Sequence, residues 1–268
     1  MSTTTDAGTA ELQGRLWSIN AANWAELQEP YLEPAFRAGL DAVGVGQGTR
    51  LLDVGCGAGL ALRLAADRGA DVSGLDAAPG LLEHARRRVP GAQMIQGEIQ
   101  SLPFRDHAFD AVTAFNSFQY AADPVAALHE AKRVTAPGGR ILALLWSPAY
   151  MCQLAPHLQS LSALMPPPPS GTPGPFALCG RDALAEFFAS AALEVAHIED
   201  VMCTFAYPDT ATAVAALSSA GPVVRVAEHA GEEVVRLDIE AFLARHVRPD
   251  ETYAIRNPFR YAVSTPIT

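Results

Sequence analysis

One nine-residue stretch constrains the fold of this 268-residue chain more than any other: Leu51-Leu52-Asp53-Val54-Gly55-Cys56-Gly57-Ala58-Gly59. Its first four residues are apolar except Asp53 and read as a buried strand. Three glycines at alternate positions break that strand, and Leu60 onward is an apolar, alanine-rich run that reads as a helix over 60–68. Strand, glycine turn and helix open a nucleotide-type binding unit. Glycine permits positive φ and lets backbone approach a ligand with no Cβ between them. A tight turn alone does not need three glycines. The stretch leaves the ligand open, because the dinucleotide pattern G-x-G-x-x-G puts its third glycine one place later, at Leu60.

Strands and helices alternate after Thr49. Strand 71–75 ends at Asp76 and is followed by a helix from Pro79 to Arg88. A short strand, 93–96, ends at Gly97-Glu98. Strand 109–115 ends at Asn116, and helix 123–134 follows. Pro137-Gly138-Gly139 turns the chain into strand 140–146. Such alternation predicts a parallel sheet covered on both faces. The pattern then changes to two helical insertions, 147–180 and 205–250, separated by helix 181–190 and strand 194–201. A last strand spans 259–264. The proline run Pro166-Pro167-Pro168-Pro169 reads as a stiff, extended loop.

At the other end, residues 1–10 read as a disordered tail. Residues 11–45 read as a helical segment carrying Trp17 and Trp24, which serve either the core or a lid over a flat ligand. Residues 46–268 form the main domain.

Bulk properties exclude several classes. The net charge of −10, without a Lys/Arg run, argues against a nucleic-acid partner, whose affinity comes largely from positive charge. The basic triplet Arg86-Arg87-Arg88 closes a predicted helix and complements its dipole. Cys56, Cys152, Cys179 and Cys203 are far apart and lack ligand spacing, so no metal site is expected. No signal-peptide pattern and no apolar run of about 18 residues occurs, so a reduced, cytoplasmic protein is expected.

Three strand ends narrow the ligand. A carboxylate at Asp76 suits the hydroxyls of a ribose, in a dinucleotide as well as in other nucleosides. Glu98, in Gly97-Glu98-Ile99-Gln100-Ser101-Leu102-Pro103-Phe104, suits the exocyclic amine of an adenine, with Ile99 on the ring face. The segment Arg133 to Ile141, with its Pro-Gly-Gly, fixes topology.

Taken together, these residues resemble the class I S-adenosylmethionine-dependent methyltransferases, in particular a small-molecule, natural-product branch with motifs of the form LDVGCGxG, GDAxxLPF and LxPGG. The resemblance covers roughly residues 45–146. It implies an α/β, Rossmann-like seven-stranded sheet of order 3-2-1-4-5-7-6, last strand antiparallel, helices on both faces and helical caps. It maps the methionine part of the cofactor onto Gly55 and Gly57, the ribose onto Asp76 with Ala77, and the adenine onto Glu98 with Ile99. Asn116 ends the fourth strand, and Trp24, with Trp17, closes over the cofactor. Glu98 departs from the family's usual aspartate by one methylene.

The implied cofactor, S-adenosylmethionine with S-adenosylhomocysteine as product, carries an activated methyl group, so alignment rather than an obligatory base carries catalysis. Candidate bases are His229, which Glu233 at i+4 could orient, and Tyr120 after the fourth strand. A surface histidine and a core or rim tyrosine are the competing readings, and His157 in the first insertion stands no higher. Apolar cap residues, among them Met151, Leu154, Leu158, Leu161, Phe205 and Val223, predict a cavity for a fairly large apolar or aromatic acceptor. The expected partner is therefore a small-molecule methyl acceptor, with the protein a monomer or homodimer and neither nucleic acid nor membrane involved. The alternative is a fold relative that binds the cofactor without methyl transfer, a cyclase or binding protein. A nicotinamide oxidoreductase would require G-x-G-x-x-G and a Tyr/Lys pair, and neither is present.

Overall fold

A computed structural model describes residues 8–166 and 176–267. Its centre is a seven-stranded sheet of order β3-β2-β1-β4-β5-β7-β6. The strands are β1 (Arg50–Val54), β2 (Asp71–Asp76), β3 (Gln93–Gln96), β4 (Phe109–Phe115), β5 (Thr135–Trp146), β6 (Val195–Tyr207) and β7 (Tyr253–Ser264). Neighbours from β3 to β5 pair in parallel, and β7 runs antiparallel to both β5 and β6. The expected order and the antiparallel last strand are both observed.

Side-chain alternation explains why the sheet is covered twice. Leu51, Ala111, Leu142 and Leu144 enter one buried cluster, with Leu62 of helix α4 (Leu60–Ala66) and Phe36 and Leu40 of α3 (Glu33–Ala42). Leu52, Val54, Val112, Ile141 and Leu145 enter the other. That second cluster receives Leu128 of α6 (Pro124–Val134) and Phe188 of α8 (Arg181–Ser190). Period-two strands with both faces apolar must be sandwiched in this way. Helix α6 also shows why helices start where they do. Pro124 takes the first turn, and the Asp123 carboxylate accepts from the backbone N–H of Val125 and Ala126.

Several boundaries differ from the sequence reading. The Pro137-Gly138-Gly139 segment is not a turn before the fifth strand but an irregularity within β5. Phe109 pairs Thr135 before it, and Ala111 pairs Arg140 after it. Gly138 takes φ 82°, and its N–H donates to Ile267 O at 2.7 Å. Strand β6 continues six residues beyond 201, and β7 begins at 253 rather than 259. Pro258 lies inside β7, opposite Met202. Its ring nitrogen cannot donate, but that side of β7 faces the place where β5 has ended at Trp146, opposite Phe259. The Ser147 N–H donates to the Pro258 carbonyl at 3.1 Å, so the missing donor disrupts no ladder.

The N-terminal segment comprises α1 (Ala10–Ile19), α2 (Ala21–Asn23), a π turn over Trp24–Gln28, a 3₁₀ turn over Glu29–Leu32, and α3. Of the expected tail, residues 1–7 lie outside the described residues. Gly8 to Ala10 are held in place: the Thr9 hydroxyl donates to Tyr120 O at 2.6 Å, and the Ala10 N–H to Glu98 Oε2 at 2.9 Å. Helix α1 packs on α5 (Pro79–Arg88) and on α10 (Gly221–Ala230).

The first insertion contains a 3₁₀ turn at Ala149–Met151 and α7 (Ala155–Ala163). Pro167 to Pro169 of its proline run lie outside the described residues. The second contains α9 (Thr210–Leu217), α10 and α11 (Glu232–Leu243). Both leave the sheet at carboxyl ends of strands, β5 and β6, where open α/β sheets bind ligands. Among the described residues no single helix is long and apolar enough to cross a membrane.

Candidate functional site

The glycine stretch folds as its composition requires. Gly55, Gly57 and Gly59 have φ of 74°, 55° and 82°, a region closed to most side chains. Their surroundings differ. A Cβ on Gly55 would lie 2.4 Å from Ser117 Cβ, and one on Gly59 would lie 2.8 Å from Ala85 Cβ. A Cβ on Gly57 would meet only Glu29 Oε1 at 3.4 Å and Trp24 Nε1 at 3.8 Å. Gly55 and Gly59 therefore serve packing, and Gly57 keeps a cradle open.

That cradle belongs to an open pocket of about 800 Å³, a volume that includes solvent space at its mouth. All eight residues expected to touch the cofactor line it: Trp24, Gly55, Gly57, Asp76, Ala77, Glu98, Ile99 and Asn116. Tyr120 lines it as well. The chain thus brings the ends of β1, β2, β3 and β4 to one place and roofs them with α1 and the segment 24–36. Trp17 stands edge-on to Trp24, centroids 4.7 Å apart, and to Tyr120 at 5.7 Å, making one aromatic wall.

The carboxylates are tied into this frame. Asp76 Oδ2 accepts from Gly57 N–H and Oδ1 from Ala78 N–H, each at 2.8 Å. Burial raises its pKa, and the three backbone donors of residues 78, 57 and 77 oppose that rise. Glu98 accepts from the N–H of Ala10 and, at 3.1 Å, of Gln100, so it anchors the roof helix as well as facing the pocket. Asn116 holds φ 57°, unusual for a residue with a side chain, and its Oδ1 accepts from Gln119 Nε2 at 2.6 Å.

Several lining residues have no counterpart in the sequence reading of the site, Phe36 and Glu29 among them. Phe36 stacks edge-on against Phe115, centroids 4.9 Å apart. Glu29 is 3% exposed; its Oε1 accepts from Ala58 N–H at 3.2 Å, and its Oε2 pairs with Arg88. Arg88 also donates to Ala58 O at 3.0 Å and to Ala25 O, so it joins roof, glycine loop and α5. The reading of Arg86 to Arg88 as a dipole-complementing helix end therefore misses the role of Arg88. Burial lifts the Glu29 carboxyl to about 7, with Arg88 pulling the other way.

The candidate bases fare differently. His229 lies on the exposed side of α10 and does not line the pocket. Glu233, expected to orient it, pairs with Arg236 instead. His229→Ala should leave S-adenosylhomocysteine affinity within about twofold, which calorimetry reads directly. Burial pushes the Tyr120 phenol up to about 12, so it is protonated at neutral pH and forms pocket wall rather than a ready base.

Several of the cap's apolar residues pack against the sheet. Leu154, Leu161, Phe205 and Val223 are buried in the cluster that covers the sheet, and no residue of either insertion lines the pocket. Among the described residues the insertions therefore contribute nothing to the pocket at the strand ends. His157, inside the cap, bonds through Nδ1 to Asp238 Oδ2 at 2.7 Å, and burial lowers its pKa. Among the described residues, no cluster of His, Cys, Asp or Glu could hold a metal ion.

Sheet order, glycine cradle and strand-end carboxylates define a doubly wound α/β domain with its pocket at the carboxyl ends of the strands. A family profile described as a methyltransferase domain matches residues 52–143. The demethylmenaquinone methyltransferase of Renibacterium salmoninarum is 43% identical over 103 residues, 38% of this chain and 44% of that protein. The chain thus spans less than half the length of that relative. An uncharacterized protein of Mycobacterium bovis, Mb1440c, is 31% identical over 187 residues, 66% of this chain and 65% of its own. The crystal structure of the [4+2]-cyclase SpnF shares the fold, with TM-score 0.55 and 22% identity, covering 87% of this chain and 81% of that one. Residues 52–143 thus match a methyltransferase domain, and the sheet order is the one expected from the resemblance to class I S-adenosylmethionine-dependent methyltransferases.

Proposed function

We propose that this protein transfers a methyl group from S-adenosylmethionine to an oxygen, nitrogen or carbon atom of a small acceptor. One observation carries the proposal: a cradle that Gly57 leaves open to a ligand, in one aromatic-walled pocket with Asp76 and Glu98. Asp76 suits the ribose, Glu98 with Ile99 the adenine, and Gly55 and Gly57 the amino-acid end. The cofactor, when bound, supplies a methyl group already activated by its sulfonium. The chain's own part is to hold the reactants in line and exclude water, and alignment alone can lower a barrier by about 7–11 kcal/mol in favourable cases. No obligatory base follows from this chemistry, which suits a pocket where Tyr120 is protonated and His229 is absent.

The acceptor is a small apolar or aromatic molecule of the secondary-metabolite kind. Leu32, Phe36 and Phe115 beside Asn116 supply an apolar lining, and the Renibacterium salmoninarum relative acts, by its name, on demethylmenaquinone. In this reading residues 11–45 are a lid and residues 46–268 the catalytic domain, with caps at 147–180 and 205–250. The protein works in the cytoplasm as a monomer or homodimer, and its charge of −10 disfavours nucleic acid.

A second reading, cofactor binding without transfer, is favoured by the likeness to a cyclase. Incubation with methyl-labelled S-adenosylmethionine and a panel of quinols, phenols and hydroxylated polyketides separates the two. Label in the acceptor is the expected result. Confirmed cofactor binding with no labelled product across the panel would favour the second reading.

A further inference from the structure

The cradle over Gly57 has two polar walls of opposite character. One is Glu29 Oε1, an acceptor; the other is Trp24 Nε1–H, which is a donor only. They stand 3.4 and 3.8 Å from the point where a Cβ on Gly57 would be. Both come from the turn segment 24–32, which the pairing of Glu29 with Arg88 and the bonds of Arg88 to Ala25 and Ala58 hold against the glycine loop. A further anchor is Tyr207, whose hydroxyl donates to Gln28 Oε1 at 2.7 Å. The two polar atoms are therefore fixed by a frame that does not depend on the ligand.

An acceptor carboxylate and a donor N–H beside one cradle with room for a ligand fit the two charged groups of an α-amino acid. Resting on the methyl-donor reading above, we propose that Glu29 and Trp24 recognise the amino-acid end of the donor, Glu29 taking the ammonium and the Trp24 indole N–H the carboxylate. Glu29 is then a specificity residue. It selects a nucleoside that carries a zwitterion over one that carries only an alkyl thioether, and it counts for little in holding the adenosine. A cation against Oε1 also favours the charged form of a carboxylate that burial disfavours.

The experiment compares two probes by calorimetry. S-adenosylhomocysteine carries the amino-acid end, and 5′-methylthioadenosine keeps the adenosine and lacks it. Glu29→Gln should weaken S-adenosylhomocysteine by at least about tenfold, the effect of losing a charge-assisted hydrogen bond. It should leave 5′-methylthioadenosine within about twofold, which also verifies that the variant is folded. Trp24→Phe keeps the ring and removes the N–H, and should show the same selectivity with a smaller loss. Equal weakening of both probes by Glu29→Gln would make Glu29 a structural latch and overturn the proposal. So would unchanged affinity for both. A wild-type protein that binds neither probe would overturn the methyl-donor reading along with it.

Discussion

Replacing Gly57 with valine should abolish S-adenosylhomocysteine binding, lowering affinity by more than about 100-fold, while the protein stays folded. The reason lies in what the new side chain meets. Gly57 holds φ 55°, so any side chain pays about 1–2 kcal/mol for the left-handed backbone. The added Cβ clashes with no backbone; it stands at van der Waals distance from Glu29 and Trp24, and the valine methyls then occupy the cradle itself. Gly55 gives no such separation, since a Cβ there would lie 2.4 Å from Ser117 Cβ and strain the fold. Calorimetry with thermal unfolding on the same samples reads both quantities. Near-wild-type affinity in the valine variant would place the ligand elsewhere.

The second large effect concerns stability. Asp53 in β1 is 1% exposed, and its Oδ1 accepts from Thr113 Oγ1 at 2.7 Å. Burial raises its pKa from 3.8 to about 7; the Thr113 bond opposes the rise, and the charges of Asp76 and Glu29 add to it. The folded state therefore holds this proton more tightly than the unfolded chain does. Stability falls as pH rises from about 4 to about 7 and is level above that window. Asp53→Asn removes this contribution, keeps an acceptor for Thr113, and should stabilise the protein near neutral-to-alkaline pH by about 2–4 kcal/mol. Below pH about 4 the two proteins should converge. Urea unfolding across pH checks this, and a variant less stable than wild type at about pH 8 would contradict it. Glu29 is shifted in the same direction, so a shallower slope of the same sign should remain in the variant.

Such buried carboxylates show where a sequence is informative. The strand–helix alternation and the strand-end residues Asp76, Glu98 and Asn116 are legible because they depend on local pattern: strand, glycine break, helix, repeated; the order of the strands follows only from the family resemblance. The boundaries of β6 are not legible. Met202 to Tyr207 alternate exposed and buried positions, a half-buried strand at the sheet's edge, but Phe205 read as part of a helical insertion. Glu29 carried no signal at all. It precedes Pro30 in a segment of π and 3₁₀ turns, and its meaning comes from Arg88 and Ala58, far away in sequence. His229 misled for the opposite reason. Its spacing to Glu233 is right for an oriented histidine, but α10 turns that face outward while its Gly221 packs under Trp17. The apolar content of the caps is legible as burial, but composition counts apolar side chains without saying whether they meet one another or a ligand.

The most direct measurement is a titration of the wild-type protein and Asp76→Ala with S-adenosylhomocysteine. Asp76 bonds both Gly57 and Ala78, so its carboxylate ties the glycine loop to the strand end that should hold the ribose. Saturable one-site binding by the wild type, weakened by about 10- to 100-fold in Asp76→Ala, is the predicted result. Absence of binding by the wild type would contradict the account at its centre, and unchanged affinity in Asp76→Ala would remove the ribose from that strand end.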